Sequence, residues 1–114
     1  MPDPTAPRAP LRIDGATLRL VRLPLVTPFT IATGTLTEKV FPLLTLRAEG
    51  IEGHAEGVMD PLPDYLEETV AGAMDLLATA LIPQVLGKSF AHPESLARLF
   101  TPWRANFMAR ATVE

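Results

Sequence analysis

Residues Gly50 to Thr69, GIEGHAEGVMDPLPDYLEET, decide how the rest of the chain is read. Gly50-Ile51-Glu52-Gly53 is a hairpin signal, and His54 to Gly57 follows it as a short strand. Val58 to Pro63 is a proline-broken loop with an apolar tip, Val58, Met59 and Leu62, where exposed loops are commonly polar. Asp64 then stands where a helix N-cap accepts a backbone hydrogen bond, with Glu67 three residues on as in a capping box. This stretch therefore marks the passage from a sheet to a helical half.

Working upstream, Ile13 to Leu23 is rich in β-branched and aliphatic residues, interrupted by Arg19 and Arg22. Its alternation changes phase between Leu18-Leu20 and Val21-Leu23, as a β-bulge would produce. Pro24 and Pro28 end regular pairing and open a second apolar loop, Pro24 to Gly34. The second strand runs from about Lys39 to Glu49, with Val40, Leu44, Leu46 and Ala48 on one core-facing side. Pro42 argues that this end of the strand is exposed or at an edge, because proline cannot donate to a ladder. Consecutive strands joined in this way make a three-stranded antiparallel meander.

Downstream of Asp64, the residues Leu66, Val70, Ala73, Met74, Leu77 and Leu81 follow helical spacing and form one apolar stripe. Pro83 and Gly87 mark its end. His92-Pro93-Glu94 opens a short helix that turns Leu96, Leu99 and Phe100 inward. Thr101-Pro102 opens another, carrying Trp103, Phe107 and Met108, with Trp103 and Phe107 read as core packing at i, i+4. Asn106 to Glu114 contains no Gly or Pro, so the last helix reads as cut mid-course. Strands followed by a small helical bundle define an α+β fold.

Composition bounds the function. A chain of 114 residues with 47% apolar content fits one small domain. Its net charge of -3, with no basic stripe, argues against a nucleic-acid partner. The chain has no cysteine, which removes disulfides, thiolate metal sites and cysteine nucleophiles and fits a cytoplasmic location. No apolar run approaches the ~18 residues of a membrane span, so no membrane partner is expected. Prolines at positions 2, 4, 7 and 10 mark residues 1–11 as a flexible tail.

Catalytic signals are sparse. His54 and Glu56, at i, i+2 on a strand, share a face and offer an acid/base pair or two metal ligands. No third ligand is placed by spacing, so the polar face of a half-exposed sheet is the favoured reading. His92 reads as a cap or turn residue, and Glu67, Glu68 and Asp75 as helix-surface acids, two of them favoured near the N-terminal dipole. There is no GxGxxG or P-loop pattern. The only lysines are Lys39 and Lys88. Residue pattern alone yields no catalytic set and no metal site. Met59 and Tyr65 stand out as an apolar and an amphipathic side chain flanking one loop.

Three separated motifs carry a resemblance. VRLPLVTPFTIATGTLTEKVFPLLTL (residues 21–46), GIEGHAEGVMDPLPDYLEETVAGA (50–73) and RANFMARATVE (104–114) resemble, in order and spacing, the N-terminal region of o-succinylbenzoate synthases. These enzymes belong to the enolase superfamily, and several also racemise N-acylamino acids. The resemblance implies that residues 12–104 form an enolase-like N-terminal capping domain, and that 105–114 begin a helix leading to a missing (β/α)₈-like barrel. It implies that the barrel uses two lysines as acid/base catalysts and three carboxylates to hold Mg²⁺. Neither that KxK pattern nor those carboxylates occur in this chain. It further implies a small-molecule carboxylate substrate, bound with the barrel. A proton beside the carboxylate would be removed there, leading to dehydration for menaquinone synthesis or to racemisation. Matching motif positions carries a substrate-pocket role onto Phe29 and Ile31 in the first loop and Met59 and Tyr65 at the second. At Phe107 the chain departs from relatives that often carry a basic residue. Beside this reading stand a free-standing interaction module, which binds a partner or a second copy through an exposed cap surface, and a small complete enzyme built on His54 and Glu56.

Overall fold

Alternation of apolar and polar residues from Gly15 onward drives the chain into long strands, and pairing them creates the surface on which everything else rests. The computed structural model describes residues 9–32, 34–64 and 66–114. A two-residue strand β1 (Leu11–Arg12) is followed by β2 (Gly15–Ile31), β3 (Gly34–Ala48) and β4 (Ile51–Glu56). The three longer strands form an antiparallel sheet in the order β2-β3-β4, the expected meander. After it come α1 (Val70–Leu76), a π-helical stretch (Leu77–Leu81), α2 (Ile82–Val85), strand β5 (Ser89–Phe90), α3 (Pro93–Leu99) and α4 (Phe107–Val113). Strand β5 pairs with β1, which draws in Leu11 from the segment read as tail. Positions 1–8 of that segment lie outside the described residues.

The meander differs from expectation in where its irregularities fall. Pairing of β2 with β3 is continuous from Gly15↔Arg47 to Pro24↔Glu38, so no bulge interrupts Leu18 to Leu23. The register shifts between Pro24 and Phe29, where prolines 24 and 28 withdraw their donors, and pairing resumes from Phe29↔Leu36 to Ile31↔Gly34. The segment expected as a loop from Pro24 to Gly34 is thus mostly the far end of a β-ribbon. The second hairpin turns at Glu49 and Gly50, with φ of 51° and 82°, between the paired residues Ala48 and Ile51. Positive φ at both central residues matches the right-handed strand twist, and Gly50 reaches it without a Cβ penalty.

Pro42 is buried rather than exposed, and it stands where the central strand outruns β4 and becomes an edge. Its carbonyl accepts the Gly57 N–H at 2.8 Å, so its nitrogen also points toward β4, at the place where that strand has ended. The absent donor therefore costs no ladder bond. Gly57 is itself required there. A Cβ would stand 2.9 Å from Pro42 Cδ and 2.8 Å from Met59 Sδ, closer than packed atoms approach.

The helix expected from Asp64 begins at Val70. Thr69, extended at φ -124°, is the N-cap, its Oγ1 accepting the Gly72 N–H at 3.1 Å. Asp60 bridges to Thr69, and Val70 N–H donates to the Asp60 carbonyl at 2.9 Å, holding the chain before Val70 out of the helix. Pro83 does not end the helix either. The preceding turn widens to π geometry over Leu77–Leu81, which relieves the clash of the ring with the carbonyl four residues back. Thr79 Oγ1 supports the widened region by donating to the Asp75 carbonyl at 2.7 Å.

Helix α3 starts at Pro93 as expected, with Leu96 and Phe100 buried and Leu99 half-buried. Thr101-Pro102 opens only a turn, in which Trp103 N–H donates to the Phe100 carbonyl at 3.0 Å. Left-handed backbone at Ala105 and Asn106 (φ 49° and 57°) separates that turn from α4. As a result Trp103 and Phe107 are 37% and 68% exposed and do not build the core. The core instead joins Leu44 of β3, Val70, Ala73, Leu77, Leu81 and Val85 of the long helical run, Leu96 and Phe100 around α3, and Ala109 and Val113 of α4. Burial of this apolar surface is the main force holding helices to sheet.

Candidate functional site

The ribbon end and the apolar loop, far apart in sequence, wall one cleft. It has a volume of about 420 Å³ and is lined from β2 by Leu25 and Phe29, from β3 by Leu36 and Phe41, and from the loop by Val58 and Met59. Each wall has a physical origin. The register shift after Pro24 swings the ribbon end, and Gly57 lets the loop press against Pro42 so that Met59 folds under it. Phe29 is 59% exposed and Val58 66%, whereas Met59 is 3% exposed. The cleft thus has a fixed floor and open apolar walls.

Three charged residues also line it, Glu38, Lys39 and Asp60. Glu38 pairs with Arg22 at 3.0 Å, and Lys39 Nζ lies 3.4 Å from Glu56 and 5.0 Å from the centre of the Phe41 ring. Both pairs are about half exposed, where such contacts contribute little to stability. Lys39 therefore remains available as a donor to an anionic group in the cleft.

The expected site residues fall as follows. Phe29 and Met59 share the main cleft. Ile31 lines a neighbouring cleft of about 160 Å³ with Leu36, Pro61 and Leu62, and Leu36, Asp60 and Pro61 belong to both. Tyr65 lies outside the described residues. Sequence reasoning misses Leu36, Phe41 and Lys39; the alternation through Thr35-Leu36-Thr37-Glu38-Lys39, opposite the segment around Phe29, is the signal that could have found them.

His54 and Glu56 sit on the outer face of the sheet. His54 Nδ1 is 2.9 Å from Thr45 Oγ1, its Nε2 is 3.7 Å from Glu52, and Glu56 faces Lys39. Arg47 continues this polar face, donating to Thr17 Oγ1 at 2.7 Å. The exposed Thr45–His54 and Lys39–Glu56 pairs and the part-buried Arg47–Thr17 bond link neighbouring strands, while Glu52 meets His54 along β4 itself. Among the described residues no group of three or more His, Asp or Glu is placed to hold a metal ion. The cleft offers shape, apolar surface, one ammonium group (Lys39) and two carboxylates (Glu38 and Asp60).

Comparison with known proteins assigns the fold. Residues 14–114 match the family described as the mandelate racemase / muconate lactonizing enzyme N-terminal domain. Over 104 residues the chain is 46% identical to an N-succinylamino acid racemase of Thermus thermophilus, covering 91% of this chain and 28% of that protein. An o-succinylbenzoate synthase of Listeria innocua is 39% identical over 93 residues, covering 81% and 25%. Among solved structures, an enolase-superfamily member from Listeria innocua aligns with a TM-score of 0.85 and 36% identity over 90% of this chain and 28% of that one. A muconate lactonizing enzyme of Pseudomonas fluorescens reaches a TM-score of 0.82 at 21% identity, covering 90% of this chain and 28% of that one, a likeness of fold alone. The chain thus spans about a quarter of the length of the curated relatives it matches. Its meander, its helical layer and the match over residues 14–114 place it in the N-terminal domain family of the mandelate racemase and muconate lactonizing enzymes, within the enolase superfamily.

Proposed function

We propose that this chain acts as the substrate-facing cap of an enzyme of the o-succinylbenzoate synthase / N-succinylamino acid racemase type, laid over a barrel that performs α-proton abstraction beside a carboxylate. The observation that carries the reading is the apolar cleft shared by Phe29 and Met59. Open apolar walls on a fixed floor suit a lid that receives the part of a substrate remote from the reacting carbon. Covering that part excludes water and orients the substrate for proton removal. Lys39, lining the same cleft, would steady an anionic acyl group. Mg²⁺ would belong to the barrel and supply charge stabilisation there; no step through it is assigned to residues of this chain.

Relatives named for racemisation and for o-succinylbenzoate synthesis both match, and the cap is compatible with either outcome. A second reading, an interaction module that works without a barrel, is favoured by the exposure of Phe29, Val58, Leu62 and Phe107, since apolar surface of that kind marks contact sites. Reconstitution separates the two. The chain is co-expressed with the Thermus racemase lacking its own N-terminal domain, and racemisation of an N-succinylamino acid is followed by polarimetry. Restored turnover is expected; failure to co-purify, or an inert complex, contradicts the cap reading.

A further inference from the structure

Glu68 ends the segment that joins the apolar loop to α1, one residue before the Thr69 cap, yet its carboxylate serves a different helix. Its Oε1 accepts the N–H of Met108 and of Ala109, each at 3.1 Å, and its Oε2 accepts Met108 N–H at 3.0 Å. Met108 and Ala109 lie in the first turn of α4, where backbone donors have no partner within the helix. The residue at the N-cap position, Asn106, is left-handed and places no side-chain hydrogen bond on them. Its amide instead donates to the Arg104 carbonyl at 3.0 Å. The cap of α4 is therefore supplied from 40 residues away.

The loop is also closed at its own base. Asp60 bridges to Thr69, and the Asp60 carbonyl accepts the Val70 N–H. The carboxylate of Glu68 thus sits between this closed base and the start of α4, partly buried, with charge-assisted bonds stronger than neutral ones. We infer that Glu68 is a positioning residue that couples the apolar loop to α4, so that the two shift as one body. Under the cap reading, and resting on it, the consequence is that a lid residue such as Met59 is held in register with the helix beyond it. The coupling itself depends only on the contacts above.

The test uses the 114-residue chain, with backbone amide shifts and hydrogen exchange measured for the wild type, Glu68→Ala and Glu68→Gln. In Glu68→Ala the Met108 and Ala109 amides should exchange at least about ten-fold faster, equivalent to losing roughly one hydrogen bond. The amides of Val58 to Asp60 should shift with them. Glu68→Gln retains an acceptor oxygen and should restore part of both effects, which also provides the reading if the alanine variant does not fold. Unchanged exchange at Met108 and Ala109 overturns the inference. So does a loss of protection confined to α4 with the loop amides unmoved, because that is capping without coupling. No substrate or barrel enters this measurement, so its failure is distinct from failure of the cap reading.

Discussion

Gly57→Ala is the sharpest probe of how the loop is held. The added Cβ would lie 2.9 Å from Cδ and 3.0 Å from Cγ of Pro42, and 2.8 Å from Met59 Sδ. Carbon atoms in contact settle at about 3.5–4.0 Å, so the strands must part by roughly 0.5 Å or more. The Met59 sulfur belongs to a flexible chain and can retreat. The proline ring, buried in the central strand, cannot. Overpacking of this kind costs about 1–3 kcal/mol, and loosening the 2.8 Å bond from Gly57 N–H to the Pro42 carbonyl adds about 0.5–1.5. The expected loss is about 2–4 kcal/mol, a large part of a typical domain's stability. Gly53→Ala is the matched control. It lies in β4, and a Cβ added there would meet nothing within 4 Å, so alanine should be neutral or stabilise by up to about 1 kcal/mol. Urea unfolding of the two variants beside the wild type gives both numbers. A Gly57→Ala variant within about 0.5 kcal/mol of wild type, or equal to Gly53→Ala, would refute the close-approach argument.

The remaining expectations concern the helix start and the sheet's outer face. Thr69→Ala removes the side-chain oxygen that accepts Gly72 N–H and should cost about 1 kcal/mol in urea unfolding, whereas Asp64→Ala, outside the helix, should stay within about 0.5. Equal losses at the two positions would favour a helix beginning at Asp64. His54→Ala removes exposed contacts to Thr45 and Glu52 and should likewise change stability by no more than about 0.5 kcal/mol, with metal affinity unaltered in a zinc titration.

The meander is legible in the sequence because its pattern is local: alternation from Lys39 to Glu49, the glycine turn, and the short strand after it. What escapes the sequence depends on partners distant along the chain. Asp64 and Thr69 carry the same capping chemistry, and local preference does not choose between them. The choice is made by the bridge from Asp60 and by Glu68, whose carboxylate serves α4. Pro42 reads as exposed or at an edge, and the local pattern does not show that it is buried beside the end of β4. That strand ends just where the missing donor would have pointed. Ala105 gives no warning of left-handed backbone, since alanine is ordinarily a helix former, and so the spacing of Trp103 and Phe107 misleads toward the core. The candidate site shows the same division. Phe29 and Met59 stand out as apolar residues in irregular segments, while Leu36 and Phe41 join them only through the ladder from Phe29↔Leu36 to Val21↔Phe41.

The central claim is that the cleft meets a substrate held by a barrel. It is tested most directly by Phe29→Ala in the complex reconstituted with the Thermus barrel, with KM and kcat measured on an N-succinylamino acid. Phe29 is 59% exposed in the cap alone, so its ring is free to bury against substrate, and truncating it should cost about 1–2 kcal/mol of binding. The account predicts a KM raised about ten-fold with kcat within a few-fold of the unmutated complex, the pattern of lost uniform binding. Unchanged KM and kcat would contradict it.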